Sequence, residues 1–114
     1  MHETNAARYY REHAAAMEPT REALPGFLKG FGGMYVAAMG EGKLDIAQKE
    51  LIALAIGMAL RCEDCIYTHV RGAVKAGATR DQVLEAATVA VMMSGGPGYT
   101  YLPRVTEALD ALET

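Results

Sequence analysis

The chain has 114 residues, 51% of them hydrophobic and 22% charged, and a formal net charge of −3. That length suits one core rather than two, and apolar residues beyond what so small a core can hide are expected at subunit contacts. Without a cluster of Lys and Arg there is no electrostatic footprint for nucleic acid or an anionic membrane surface, and segment 1–17 lacks the continuous apolar stretch of a secretory signal, so a cytoplasmic location is expected.

Ala7, Tyr10, Ala14 and Met17 recur three and four apart, which predicts an amphipathic helix from Asn5 to Met17, stopped by Pro19. A second helix is expected from Pro25 to Met39 on the spacing of Phe27, Phe31, Met34 and Ala38, weakened locally by Gly30, Gly32 and Gly33. Gly40 and Gly42 end it, and Asp45 followed by Gln48 has the form of a capping pair that opens a third helix, Ile46 to Leu60. The later half of that helix is apolar on every side and is expected to be enclosed all round. The run LIALAIGMAL, Leu51 to Leu60, is too short for a bilayer crossing, which takes about 20 residues.

Cys62 begins a fourth helix that ends at Gly77, with Glu63 and Asp64 in the first turn, where the helix macrodipole favours negative charge. Thr79 with Gln82 repeats the capping pattern and opens a fifth helix through Met93, broken by GGPG at 95–98. The last helix begins near Leu102, tolerates Pro103 in its first turn, and carries the stripe Leu102, Val105, Leu109 and Leu112. No alternating strand pattern, internal repeat or linker interrupts the series. The expected architecture is all-α, one domain over 1–114, a compact bundle of about six helices with a central helical hairpin.

The chemistry-bearing stretch is RCEDCIYTH, Arg61 to His69, which holds both cysteines of the chain. At about 100° per residue, Cys62, Cys65 and His69 share one helix face, and Gly72, Ala73 and Ala76 continue it with small residues that permit close packing. If the third and fourth helices fold back through a tight turn at Arg61 and Cys62, Glu50 comes level with the turn from His69 to Gly72. The expected spatial order is Glu50, His69, Cys65, Cys62: a carboxylate orients an imidazole, and the imidazole takes a proton from the nearer thiol. Helix-terminus charge acts most on Cys62 and the imidazole most on Cys65. Cys65 is therefore assigned as the attacking thiolate and Cys62 as the partner that closes the disulfide, with Glu63 and Asp64 opposing ionisation of both.

Other readings of the same residues stay open. Cys62, Cys65, His69 and Glu50 could hold a structural zinc ion in a non-enzymatic oligomeric module, and Glu50 with His69 could move a proton on a lactone-like substrate without redox chemistry. His2 and His13 read as surface residues. Met92, Met93, Tyr99 and Tyr101 read as core or interface residues, with an apolar substrate pocket as the lesser alternative.

The spacing E-x11-C-x2-C-x3-H over Glu50, Cys62, Cys65 and His69, set in KLDIAQKELIALAIGMALRCEDCIYTHVRGAVKAGAT, resembles the alkylhydroperoxidase D-like branch of the carboxymuconolactone decarboxylase family. The likeness extends more weakly from about Gly42 to Leu112. It implies an all-α fold, a homotrimer or homohexamer, and thiol-dependent reduction of hydroperoxides or disulfides with no cofactor, reset by a thiol reductant. It also implies that Cys65 attacks, Cys62 resolves the sulfenic acid, and Glu50 and His69 relay the proton. The two-repeat members are roughly twice as long, so the chain is similar to the single-repeat members, whose missing repeat a second subunit replaces. The decarboxylase branch lacks the cysteine pair, which makes lactone decarboxylation the less favoured activity.

Overall fold

A computed structural model describes residues 2–113, and among these the regular elements are all helices: α1 (Asn5–Ala16), α2 (Glu18–Ala23), α3 (Pro25–Met39), α4 (Ile46–Ala59), α5 (Glu63–Lys75), α6 (Arg80–Ser94), α7 (Gly96–Tyr99) and α8 (Leu102–Leu112). The fold is all-α as expected, and each of the six expected helices is present. The two short additions, α2 and α7, both carry in their first turn a proline that was expected only to break structure. Proline lacks the N–H that a first helical turn leaves unused, so it opens a helix as readily as it ends one. Pro19 and Pro97 sit in the first turns of α2 and α7. The first helix ends at Ala16, with Met17 both closing it and leading into α2.

The capping pairs form as read. Asp45 Oδ1 accepts the Gln48 N–H at 2.7 Å while Gln48 Oε1 accepts the Asp45 N–H at 2.8 Å, and Thr79 and Gln82 make the same exchange at 3.1 and 2.9 Å. Each pair satisfies donors that the helix start would otherwise leave open.

The hairpin of α4 and α5 turns within Leu60, Arg61 and Cys62. Cys62 N–H donates to Gly57 O at 2.9 Å and Arg61 N–H to Met58 O at 3.0 Å, the paired bonds of a Schellman closure. Such a closure needs a left-handed residue, and Arg61 supplies it at φ 54° without the glycine that would make it free of strain. The same bonds close α5, where Ala78 N–H reaches Ala73 O at 2.9 Å and Gly77 takes φ 102°. The tight first turn places Cys62 as the N-cap of α5.

The core lies around α5. Ile66, Val70 and Ala73 are fully buried against Leu54 and Met58 of α4, Val83 and Ala87 of α6, and Val105 and Ala108 of α8. Removing side chains of this size from water contributes about 1.5–3 kcal/mol each for the larger ones. Other apolar faces are left open by the single chain. No residue of α3 is buried, and Phe27, Phe31, Met34 and Val36 are all exposed. Ile52, Ile56 and Leu60 are exposed too, so the later half of α4 is not enclosed all round. Helical periodicity reports which residues avoid water, and it is blind to whether the cover comes from the same chain. No helix is long and apolar enough to cross a membrane among the described residues.

α1 is fastened to α5 by tyrosines. Tyr10 Oη donates to Tyr67 O at 2.7 Å, and Tyr9 Oη and Thr68 Oγ1 lie 2.6 Å apart. Burial pushes the Tyr10 and Tyr67 phenols well above the ordinary tyrosine range, and the Glu63 carboxylate pushes Tyr67 further. Each folded-state pKa lies above its unfolded value of about 10, so their contribution is intact below that pH and is lost as the pH rises past it. Urea unfolding is expected to show a constant midpoint from about pH 8 to 9 and a progressive fall above about pH 10. A midpoint that stays level to about pH 11 would contradict the burial of these phenols.

Candidate active site

The site is assembled on the facing sides of α4 and α5. Cys62 caps α5, its Sγ accepting the Cys65 N–H at 3.2 Å, and the two sulfurs are joined as a disulfide with a Cα–Cα separation of 5.2 Å. Both cysteines are partly exposed. His69 follows one turn beyond Cys65 on the same helix. Its Nδ1 lies 2.7 Å from Glu50 Oε1, which α4 delivers from the opposite side of the hairpin. A carboxylate can only accept, so with Glu50 ionised Nδ1 carries the proton and Nε2 is left as the basic nitrogen of the ring.

Glu50 is 8% exposed and, among the described residues, the one charged residue in a buried position. Burial of a carboxylate without a partner costs several kcal/mol, about 3–5 when one member of a pair is removed, so the His69 contact is what keeps it there. Folding the hairpin thus brings Glu50 and His69 together, as the count of residues back from the turn required. Glu50 also borders an open cavity of about 240 Å³ with Tyr35, Val36, Met39, Gly40 and Ile46. Burial raises the Tyr35 phenol pKa there, and the Glu50 charge raises it further.

Two glycines set the spacing between the helices. A Cβ on Gly72 would fall 2.5 Å from Glu50 Cδ and 2.6 Å from each carboxylate oxygen, so the Glu50 head group occupies the space a side chain would take. A Cβ on Gly57 would fall 3.0 Å from Cys65 Cβ. Gly72 is legible in the sequence as a small residue on the face of the cysteines and His69, whereas Gly57 is masked by the apolar run around it. The available signal was energetic: glycine in a helix interior costs roughly 0.8–1 kcal/mol against alanine, and such a cost asks for a close contact.

The remaining sequence candidates separate. His2 is exposed, while His13 is partly covered and stacks on Tyr9 at a centroid distance of 4.5 Å, so it is not a plain surface residue. Met92, Met93 and Tyr99 are 72%, 76% and 66% exposed, which removes them from the core of the single chain. Tyr101 is half-buried against the core. Among the described residues no three His, Cys, Asp or Glu side chains converge as ligands for a metal ion.

The family model for carboxymuconolactone decarboxylases matches residues 25–113, a span that includes Glu50, Cys62, Cys65 and His69. The chain belongs to the carboxymuconolactone decarboxylase family. It is 37% identical over 91 residues to an uncharacterized protein of Cupriavidus necator, covering 80% of each chain. It is 30% identical over 63 residues to the alkyl hydroperoxide reductase AhpD of Corynebacterium kroppenstedtii, a match that takes in 55% of this chain and 36% of that one. A carboxymuconolactone decarboxylase family protein of Legionella pneumophila superposes with a TM-score of 0.83 at 36% identity, over 95% of this chain and 94% of the other. A family member from Thermotoga maritima gives 0.70 at 34% identity, over 75% and 89%. The chain thus shares the AhpD-like pattern and the all-α fold of this family. A bonded cysteine pair in a family that includes AhpD is compatible with thiol oxidoreductase chemistry.

Proposed function

We propose that the protein is a thiol-dependent oxidoreductase that reduces a hydroperoxide, or exchanges with a disulfide, through Cys65 and Cys62. The observation that carries this reading is the Glu50 to His69 contact placed one turn beyond a bonded CxxC pair on the same helix. In the forward step the Cys65 thiolate attacks the distal peroxide oxygen and the O–O bond breaks. Sulfur is oxidised to the sulfenic acid, and the departing alkoxide takes a proton from His69 and leaves as the alcohol. Cys62 then attacks the sulfenic sulfur, forming the disulfide and releasing water. A thiol reductant, a protein or small dithiol, returns two electrons and two protons by exchange. Glu50 holds the imidazole in the tautomer that accepts and returns the proton at Nε2. No cofactor enters these steps. We place the protein in the cytoplasm, where the thiol pool can reopen the pair.

Mass spectrometry of the reduced protein after one equivalent of peroxide tests the reading. An internal link that removes two hydrogens supports it, and thiols left untouched by stoichiometric oxidant end it.

The reading includes assembly as a homotrimer or homohexamer, supported by the apolar faces that one chain leaves open: Phe27, Phe31 and Met34 on α3, and Ile52, Ile56 and Met93 on α4 and α6. Exposed apolar surface on this scale marks an interface. Sedimentation is expected to give a mass three or six times that of the chain, and Ile56→Glu is expected to shift it to monomer with helix content retained. A wild-type monomer at micromolar concentration would count against assembly.

A further inference from the structure

The geometry points to Arg104 as a positioning residue for the cysteine pair: by holding the Glu63 carboxylate it offsets the negative charge between Cys62 and Cys65 and thereby stabilises their thiolates. The inference rests on the redox reading above, and it answers a question that reading leaves, namely how a CxxC pair works with two acids inside it.

Glu63 follows Cys62 directly and is the first residue of α5. Its Oε2 accepts from Arg104 Nε at 3.2 Å, across from the first turn of α8, and its Oε1 accepts from Asn5 Nδ2 of α1 at 3.4 Å. Both carboxylate oxygens are thus engaged by donors from other helices. The guanidinium is itself held in place, lying 4.4 Å from the centroid of the Tyr101 ring while Nη1 donates to Thr100 O at 3.3 Å. Arg104 stands where a cation is locally unfavourable, because the macrodipole at the start of α8 is positive. Its partner is therefore tertiary. The side chains are 34% and 36% exposed, so as a clamp for the fold the pair contributes little. As a charge pair anchored on the residue that follows Cys62 in the chain, it acts on chemistry.

The other neighbours do not take over this role. Arg61 precedes the cysteine pair and Asp64 lies inside it, with opposite signs, and both are solvent-exposed. Tyr67 Oη is buried beside Glu63, and burial, reinforced by the Glu63 carboxylate, keeps it a neutral phenol that brings no positive charge. With Arg104 in place, the positive end of α5 and the Cys65 N–H act on the sulfurs with Glu63 offset.

Reduction of the disulfide consumes two electrons and two protons and yields two thiols, of which the more acidic ionises. Whatever stabilises that thiolate favours the reduced form. The sign follows: without Arg104, Glu63 acts unopposed, the thiolate is less stable and the disulfide is harder to reduce.

The test equilibrates the full chain with mixtures of reduced and oxidised dithiothreitol at neutral pH and measures the fraction reduced. Arg104→Gln is expected to shift the equilibrium constant toward the disulfide about three- to tenfold, or about 14–30 mV at 29.6 mV per decade. Glu63→Gln is expected to shift it the opposite way, Arg104→Lys to retain most of the wild-type value, and the double variant R104Q/E63Q to return within about twofold of it. A loosened helix start would move both single variants in the same direction, and that result, or an unchanged constant in Arg104→Gln, overturns the inference. The equilibrium is measurable whether or not the protein consumes peroxide, so this inference and the functional reading fail separately.

Discussion

Serine at position 65 is expected to reduce peroxide turnover roughly a thousandfold or more, to the background of the remaining groups, because it removes the atom that receives the peroxide oxygen. The matching change at position 62 is expected to behave differently. Cys62→Ser keeps the attacking sulfur and the His69 relay, so the first encounter with peroxide proceeds and stops at a sulfenic acid on Cys65. One equivalent of peroxide is consumed in a burst, no internal disulfide forms, and turnover ends. In the proposed mechanism the two sulfurs have distinct tasks. Cys65 lies one turn before His69 on α5, whose imidazole Glu50 orients. Cys62 Sγ already accepts the Cys65 N–H at the positive end of the helix, which stabilises it as an anion and makes it the better leaving group when a reductant reopens the bond. Stopped-flow consumption of peroxide by the two variants decides the matter. A burst from Cys65→Ser and none from Cys62→Ser would reverse the assignment.

The second large effect concerns a residue with no reactive group. Gly72→Ala is expected to leave the chain folded but to reduce turnover about 10²–10⁴-fold, the range lost with a general acid or base. A Cβ at this position would lie 2.5 Å from Glu50 Cδ, well inside contact distance, and the obstacle is the end of a flexible side chain rather than backbone. Glu50 therefore moves and the bond to His69 Nδ1 breaks, while α4 and α5 stay packed. Overpacking of this kind costs typically 1–3 kcal/mol, a drop of about 4 °C in Tm for each kcal/mol in a chain of this size. The double variant Gly72→Ala with Glu50→Ala has room for the new methyl group, so it is expected to regain stability without regaining activity. Adding Glu50→Ala should cost little further rate, since both changes remove one contact. Full activity in Gly72→Ala would show that the Glu50 and His69 pair takes no part in the reaction.

The site residues were legible because helices make neighbours of residues three and four apart. Cys62, Cys65 and His69 fall on one face by spacing alone, and capping signals such as Asp45 with Gln48 mark where the helices start. Placing Glu50 beside His69 needed one further assumption, a tight turn at Arg61, and the left-handed Arg61 makes that turn. Proline was misread at Pro19 and Pro97, since the same missing N–H that ends one helix suits the first turn of the next. The later half of α4 was misread as enclosed, since an apolar face looks the same in sequence whether its own chain or another copy covers it.

The six longer helices and the shared face of the two cysteines and His69 were determined by the sequence alone, because they depend on interactions within a few residues along the chain. The tertiary structure alone decided that Glu50 displaces a side chain at Gly72, that Gly57 lets Cys65 approach, and that Arg104 reaches Glu63 from α8. Those contacts join residues distant in sequence at separations of a few ångströms. Spacing along one helix carries no record of the side chain that another helix brings against it.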